Sequence, residues 1–159
     1  MKVKLWVLLL GISIMLGCSH KYRFYPVQGP LSAQTPLPVL VAKLTGSFPF
    51  TPGNISVVLG DGEVCKGHWA QVPRVKVPKG ANTASAPDSN GMSTVWDTVY
   101  GSGFYGSHVL GSTNAQAAAS GDRGTVLNVE MYAMPEGDKN IIVKGIAKDN
   151  KGNIYKVVY

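Results

Sequence analysis

Residues 125–159 read TVLNVEMYAMPEGDKNIIVKGIAKDNKGNIYKVVY. Leu127, Val129, Met131 and Ala133 fall at alternate positions, with Asn128, Glu130 and Tyr132 between them. Successive side chains of a strand point to opposite faces, so this spacing predicts a strand with one apolar and one wetter face. Pro135-Glu136-Gly137-Asp138 then turns the chain. Ile141, Val143, Gly145 and Ala147 make a second apolar face, opposite Lys144 and Lys148. Asn150-Lys151-Gly152-Asn153 is a second tight turn, after which Tyr155, Val157 and Tyr159 share one face. The stretch predicts a three-stranded antiparallel meander with one face buried.

The same grammar extends backwards. Residues 55–59 are apolar and rich in β-branched side chains, and Gly60-Asp61-Gly62 separates them from a second run at 63–69. Asp-Gly between two such runs is a strong hairpin signal. Within the second run Cys65, Gly67 and Trp69 share a face that we place inward, while Val64, Lys66 and His68 share the other. Residues 79–93 are rich in Ala, Ser, Asn, Pro and Gly and read as a long loop. Residues 94–100 return to β-type residues, with Trp96 and Tyr100 on one face. Gly101 to Gly106 would bend or bulge that run, and residues 115–119 would form one helical turn. Nineteen glycines and no sustained helical period point to an all-β chain, a single antiparallel β-sandwich or small barrel-like domain.

The N-terminus is of another kind. Lys2 and Lys4 precede an apolar run at 5–16 and then Gly17-Cys18-Ser19. A basic start, a short apolar stretch and a small residue before the cut make a secretory signal. The run falls short of the ~20 residues that a spanning helix needs. Met15-Leu16-Gly17-Cys18 resembles the lipobox of bacterial lipoproteins, with Met15 standing where that family usually has leucine. The resemblance implies that Cys18 is diacylated and becomes the first residue of the mature chain. Ser19 lacks the acidic character that commonly marks inner-membrane retention in that family, which implies the outer membrane, on its periplasmic side or at the cell surface.

The chain is thus expected to divide into a signal peptide at 1–17, a lipidated cysteine and proline-rich flexible tether at 18–38, and an all-β domain at 39–159. Pro26, Pro30, Pro36 and Pro38 motivate the tether, because proline fixes the backbone and removes a donor. About 140 mature residues suit one domain. The formal charge is +6; without Lys2 and Lys4, 13 basic against 9 acidic residues leave +4. This mild basicity suits acidic envelope polymers or headgroups through long-range attraction. The partners expected are the membrane, through Cys18, and an envelope protein or polymer, with no nucleic acid. If Cys18 carries lipid, Cys65 has no intramolecular partner and is expected to be buried and inert.

Motifs for chemistry are sparse. Gly101-x-Gly103-x-x-Gly106 matches the dinucleotide fingerprint by letter, but that site needs a strand before and a helix after, and Ser107 to Gly111 reads as strand. No nucleophile elbow is present, and no cofactor is implied. Asp61 and Glu63 read as turn residues rather than a glycosidase pair. The reading adopted is a non-enzymatic binding or structural module, whose first candidate surface is Trp96, Phe104, Tyr105 and His108. Aromatic rings beside glycines offer flat contact area there. The alternative is an envelope hydrolase or metal-dependent enzyme in which His68, His108 and Asp97 converge. A lipid or small-molecule carrier would instead require an open apolar cavity inside the β-domain.

Three segments carry a further likeness: Asp61-Gly62-Glu63-x-Cys65-x-Gly67-x-Trp69, Gly121-Asp122-Arg123-Gly124-Thr125-x-Leu127, and Gly145-x-Ala147-x-Asp149-x-x-Gly152-Asn153-x-Tyr155. They resemble parts of small, uncharacterised bacterial lipoproteins and span much of 55–159. That resemblance implies a compact β-domain and brings no assigned activity or site residue.

Overall fold

The computed structural model describes residues 19–73, 91–136 and 140–159. Its strands are β1 (Ser19–Gln28), β2 (Leu40–Thr45), β3 (Gly53–Val58), β4 (Val64–Val72), β5 (Asn114–Ser120), β6 (Val126–Glu136), β7 (Asn140–Asp149) and β8 (Ile154–Val158). Each pairs antiparallel with the next, and β1 pairs with β8 to close a barrel. The chain is therefore all-β in the barrel form. Up-and-down order puts Ser19, the β2–β3 loop and Tyr159 at one end, here called the rim. The turns at 59–63, 121–125 and 150–153 lie at the other, the latch end.

Closure corrects the expected tether. Residues 19–28 are a full barrel strand, with Tyr22, Phe24 and Pro26 buried and Lys21 and Arg23 exposed. Pro26 is tolerated because the β1–β8 register shifts between Pro26 and Gln28, where a ladder bond is dispensable. The following connection is also packed. Leu31 N–H donates to Asn153 Oδ1 at 2.9 Å, and its side chain lies against the core.

The interior is filled by matching large residues to small ones. Around one level of the barrel Trp69 faces Ala117, Ala117 faces Val129, Val129 faces Ala147, and Ala147 faces Tyr155. The run at 115–119 is thus strand, not a helical turn; its alanines supply the small partners that Trp69 requires. Trp69 Nε1 donates to Thr45 O at 2.8 Å. Phe24, Leu40, Ile55, Leu127 and Met131 fill most of the remainder. Each such side chain contributes roughly 1.5–3 kcal/mol on burial. Cys65 is free and buried as expected, and burial pushes its thiol pKa up, so it stays protonated and unreactive. The outward faces carry Lys21, Arg23, Lys43 and Lys66, all exposed. Charge outside and apolar side chains inside is the reverse of a membrane-spanning barrel. No helix among the described residues is long and apolar enough to cross a membrane.

Two buried carboxylates fasten the latch end. Glu63 accepts from Arg123 N–H at 2.9 Å, Thr125 N–H at 3.2 Å and Thr125 Oγ1 at 2.5 Å, with Lys151 Nζ 3.5 Å away. The Thr125 hydroxyl above all, helped by the two backbone donors and Lys151, outweighs burial and holds the Glu63 pKa down at about 2. Asp149 accepts from Lys151 N–H, Asn153 N–H, Asn153 Nδ2 and Tyr155 OH. A Cβ on Gly121 would run into Glu63 Oε1, so glycine is required there for contact rather than for turn geometry.

Because the ionised form of Glu63 is favoured in the fold, its contribution to stability is complete above about pH 4.5 and disappears as pH falls through about 2. Glu63→Gln is expected to lower stability at neutral pH and to flatten the loss of stability between those limits, measured by urea unfolding across pH. Gly121→Ala should cost about 1–3 kcal/mol in the same assay.

Candidate functional site

The outer wall of β6–β8 is not bare. Residues 92–109 pack on it as helix α1 (Met92–Tyr100) and a π-helical turn (Tyr105–Val109). This corrects the strand expected at 94–100. Met92, Val95, Trp96, Val99 and Tyr100 fall at i, i+3, i+4, i+7 and i+8, which places them on one helical face. That face meets Tyr132 and Ile146, residues on the outward side of the barrel that are buried only because the helix covers them. The wetter face expected for β6 is dry here for the same reason.

Gly101 and Gly103 take positive φ between the two helical pieces. The letter match to a dinucleotide loop therefore lies after a helix rather than a strand, and the mechanism of that site is lost. Asp97 Oδ1 accepts from Tyr105 N–H at 3.0 Å and ties the π-helical turn to α1.

Three of the four predicted surface residues come together. Trp96, Tyr100 and Phe104, four residues apart, lie against one another with centroid separations of 5.4, 4.8 and 5.7 Å, and His108 stacks on Phe104 at 4.6 Å to extend the ladder. Trp96 is fully buried and donates Nε1–H to Glu130 Oε2 at 2.5 Å, so it is a core residue and not a contact surface. Glu130 also accepts from Gln116 Nε2 at 2.9 Å. Tyr105 is half-buried beside the ladder and packs against the same cluster. The rings are not open as expected: they cover one another in part, with Tyr100 and Phe104 half-buried and His108 exposed. Lys144 Nζ lies 5.2 Å from the Tyr100 centroid and 5.7 Å from that of Phe104, and Lys156 Nζ lies 5.3 Å from Tyr100. Sequence reasoning missed Tyr100, Lys144 and Lys156; the four-residue aromatic spacing was the signal for the first, and the register of β7 against β8 brings in the lysines.

The alternative triad does not assemble. His68 is exposed on β4, His108 is exposed on the π-helical turn, and Asp97 is engaged with Tyr105. No group of three or more His, Cys, Asp and Glu among the described residues is arranged to share a metal ion. The buried carboxylates Glu63 and Asp149 have their oxygens committed to hydrogen bonds, and Asp61 pairs with Arg123 at 3.4 Å. No family model, curated protein or solved structure matches the chain.

Trp96→Phe keeps the ladder but leaves buried Glu130 short of a donor. It should cost about 1–3 kcal/mol in chemical denaturation. His108→Ala, at the exposed end, should stay within about 0.5 kcal/mol.

Proposed function

We propose that the chain is a non-enzymatic cell-envelope lipoprotein, anchored to the outer membrane through acylated Cys18, whose barrel serves as a binding or structural module. One observation carries the reading: Cys18 directly precedes Ser19, the first residue of the strand that closes the barrel. A cut before Cys18 would remove the apolar run at 5–16 and leave all eight strands whole. Two or three acyl chains together then hold firmly, since each buried methylene contributes about 0.8 kcal/mol.

The wall at Tyr100, Phe104 and His108 is where we place an envelope partner. The ammonium groups of Lys144 and Lys156 stand over these rings, which favours an anionic protein or polymer over a neutral one. Saturated carboxylates and a dispersed His68, His108 and Asp97 support the non-enzymatic reading over the hydrolase. An interior filled by Trp69, Tyr155, Phe24 and Met131 speaks against a carrier.

In cells expressing the full chain, the wild type should incorporate labelled palmitate and sediment with membranes. Cys18→Ala should lose both. Unchanged labelling and sedimentation in the mutant would refute the anchor.

A further inference from the structure

Among the described residues the two barrel ends differ in chemistry. The latch end gathers the carboxylates Asp61, Glu63, Asp122 and Asp149, with Arg123 beside Asp61 and Lys151 beside Glu63. The rim presents apolar side chains to solvent, with Phe50 72% exposed, Tyr159 69% and Ile141 47%. Phe50 lies in the β2–β3 loop, Ile141 near the start of β7 and Tyr159 just after β8, so three separate segments bring them to one end. At the same end lies a shallow depression of about 200 Å³ lined by Tyr22, Phe48, Ile141, Val143 and Tyr159 together with the polar His20 and Ser47.

What covers this end follows from where the remaining chain departs. Ser19 is at the rim, opposite Thr45 in the β1–β2 ladder. Consecutive Cα atoms are about 3.8 Å apart, so the chain that precedes Ser19 departs from this end. A lipid on Cys18 would therefore enter the bilayer beside the rim, one residue from the first strand. Just behind the rim Lys21 and Lys43 are direct cross-strand partners and both are exposed. Like charges in that position repel, and an anionic headgroup layer would relieve them.

We propose that the rim seats on the membrane: Phe50, Ile141 and Tyr159 enter the boundary between headgroups and acyl chains, and Lys21 and Lys43 face anionic phospholipid headgroups. This rests on acylation of Cys18. Exposed aromatic and aliphatic side chains with basic neighbours suit that layer, where an apolar face buries ~5–10 Å. The latch end, with its carboxylates, then points away from the bilayer.

The test uses the lipidated mature protein, cut before Cys18 and so without Trp6, extracted from membranes and reconstituted into phosphatidylethanolamine–phosphatidylglycerol vesicles with brominated acyl chains. Phe50→Trp and Tyr159→Trp put reporters at the rim, and Val126→Trp puts one at the latch end. Trp69 and Trp96 are buried and form the common background. A reporter ~5–10 Å deep should lose about half its emission or more, while the one at position 126 should be unaffected. Equal quenching at both ends, or none at the rim in protein that floats with the vesicles, overturns the seating and leaves the anchor standing. Protein that fails to float refutes the anchor and the seating together. Replacing phosphatidylglycerol by phosphatidylcholine should weaken quenching at position 50; unchanged quenching removes Lys21 and Lys43 from the contact.

Discussion

The pairing of β1 with β8 is the constraint on which the rest depends. Without it β1 and β8 would each present an unpaired edge, a template for association with other chains. With it every strand has two neighbours and the apolar face of each is turned inward. The closure runs from Arg23 opposite Val158 to Gln28 opposite Ile154, so the first and last strands of the sequence are held side by side. A loop-closing contact of that span carries a chain-entropy cost that grows only slowly with length. The interior packing of Phe24 against Tyr155, at 6.2 Å edge to face, is part of what offsets it.

A closed barrel of eight strands has room for side chains and little else. That limit dictates composition. Trp69 and Tyr155 can both point inward only because Ala117 and Ala147 stand beside them. Gly67 marks the same limit on β4, where a Cβ would strike the carbonyl of Ala118. The alanine-rich β5 is therefore a consequence of tryptophan on its neighbour. The same reasoning accounts for the second cluster. Ile146 and Tyr132 point outward and are buried because α1 covers them, with Trp96 donating to Glu130 beneath.

How much of this could be read from the chain depended on whether burial was one-sided. The meander at 125–159 was legible because its apolar and polar residues alternate, and both turns carry glycine; the hairpin at Gly60-Asp61-Gly62 was legible for the same reason. Three elements were not. In β1 the alternation Lys21-Tyr22-Arg23-Phe24 is present, but four prolines between Pro26 and Pro38 outweighed it as a signal, and only the bulge at Pro26 reconciles the two. In α1, Thr94, Val95, Thr98 and Val99 favour strand locally, whereas the stripe from Met92 to Tyr100 has helical spacing, and tertiary packing decided for the stripe. In β5 the alanines carry good helix propensity and no strand signature. The candidate surface was half legible: Phe104 and His108 were named, but the stacking that covers them in part and the approach of Lys144 and Lys156 depend on register across β7 and β8.

These features share one axis. β1 starts at the rim, so the proposed lipid on Cys18 would act on that end. The carboxylates that lock the turns lie at the other end, about one strand length away, or roughly 17–20 Å. The ladder of Tyr100, Phe104 and His108 lies between them on the side wall, flanked by Lys144 and Lys156. A flexible tether would average these positions over all orientations. If Cys18 is acylated as proposed, a barrel whose first strand begins one residue later would hold them in order instead: rim inward, ladder facing sideways across the membrane surface, latch outward. The wall with Lys144 and Lys156 would then lie parallel to the membrane and open to polymers running along it, while the rim's apolar residues would be withdrawn from any partner in solution. On that proposal, order along the barrel axis follows from how soon β1 begins after the anchor.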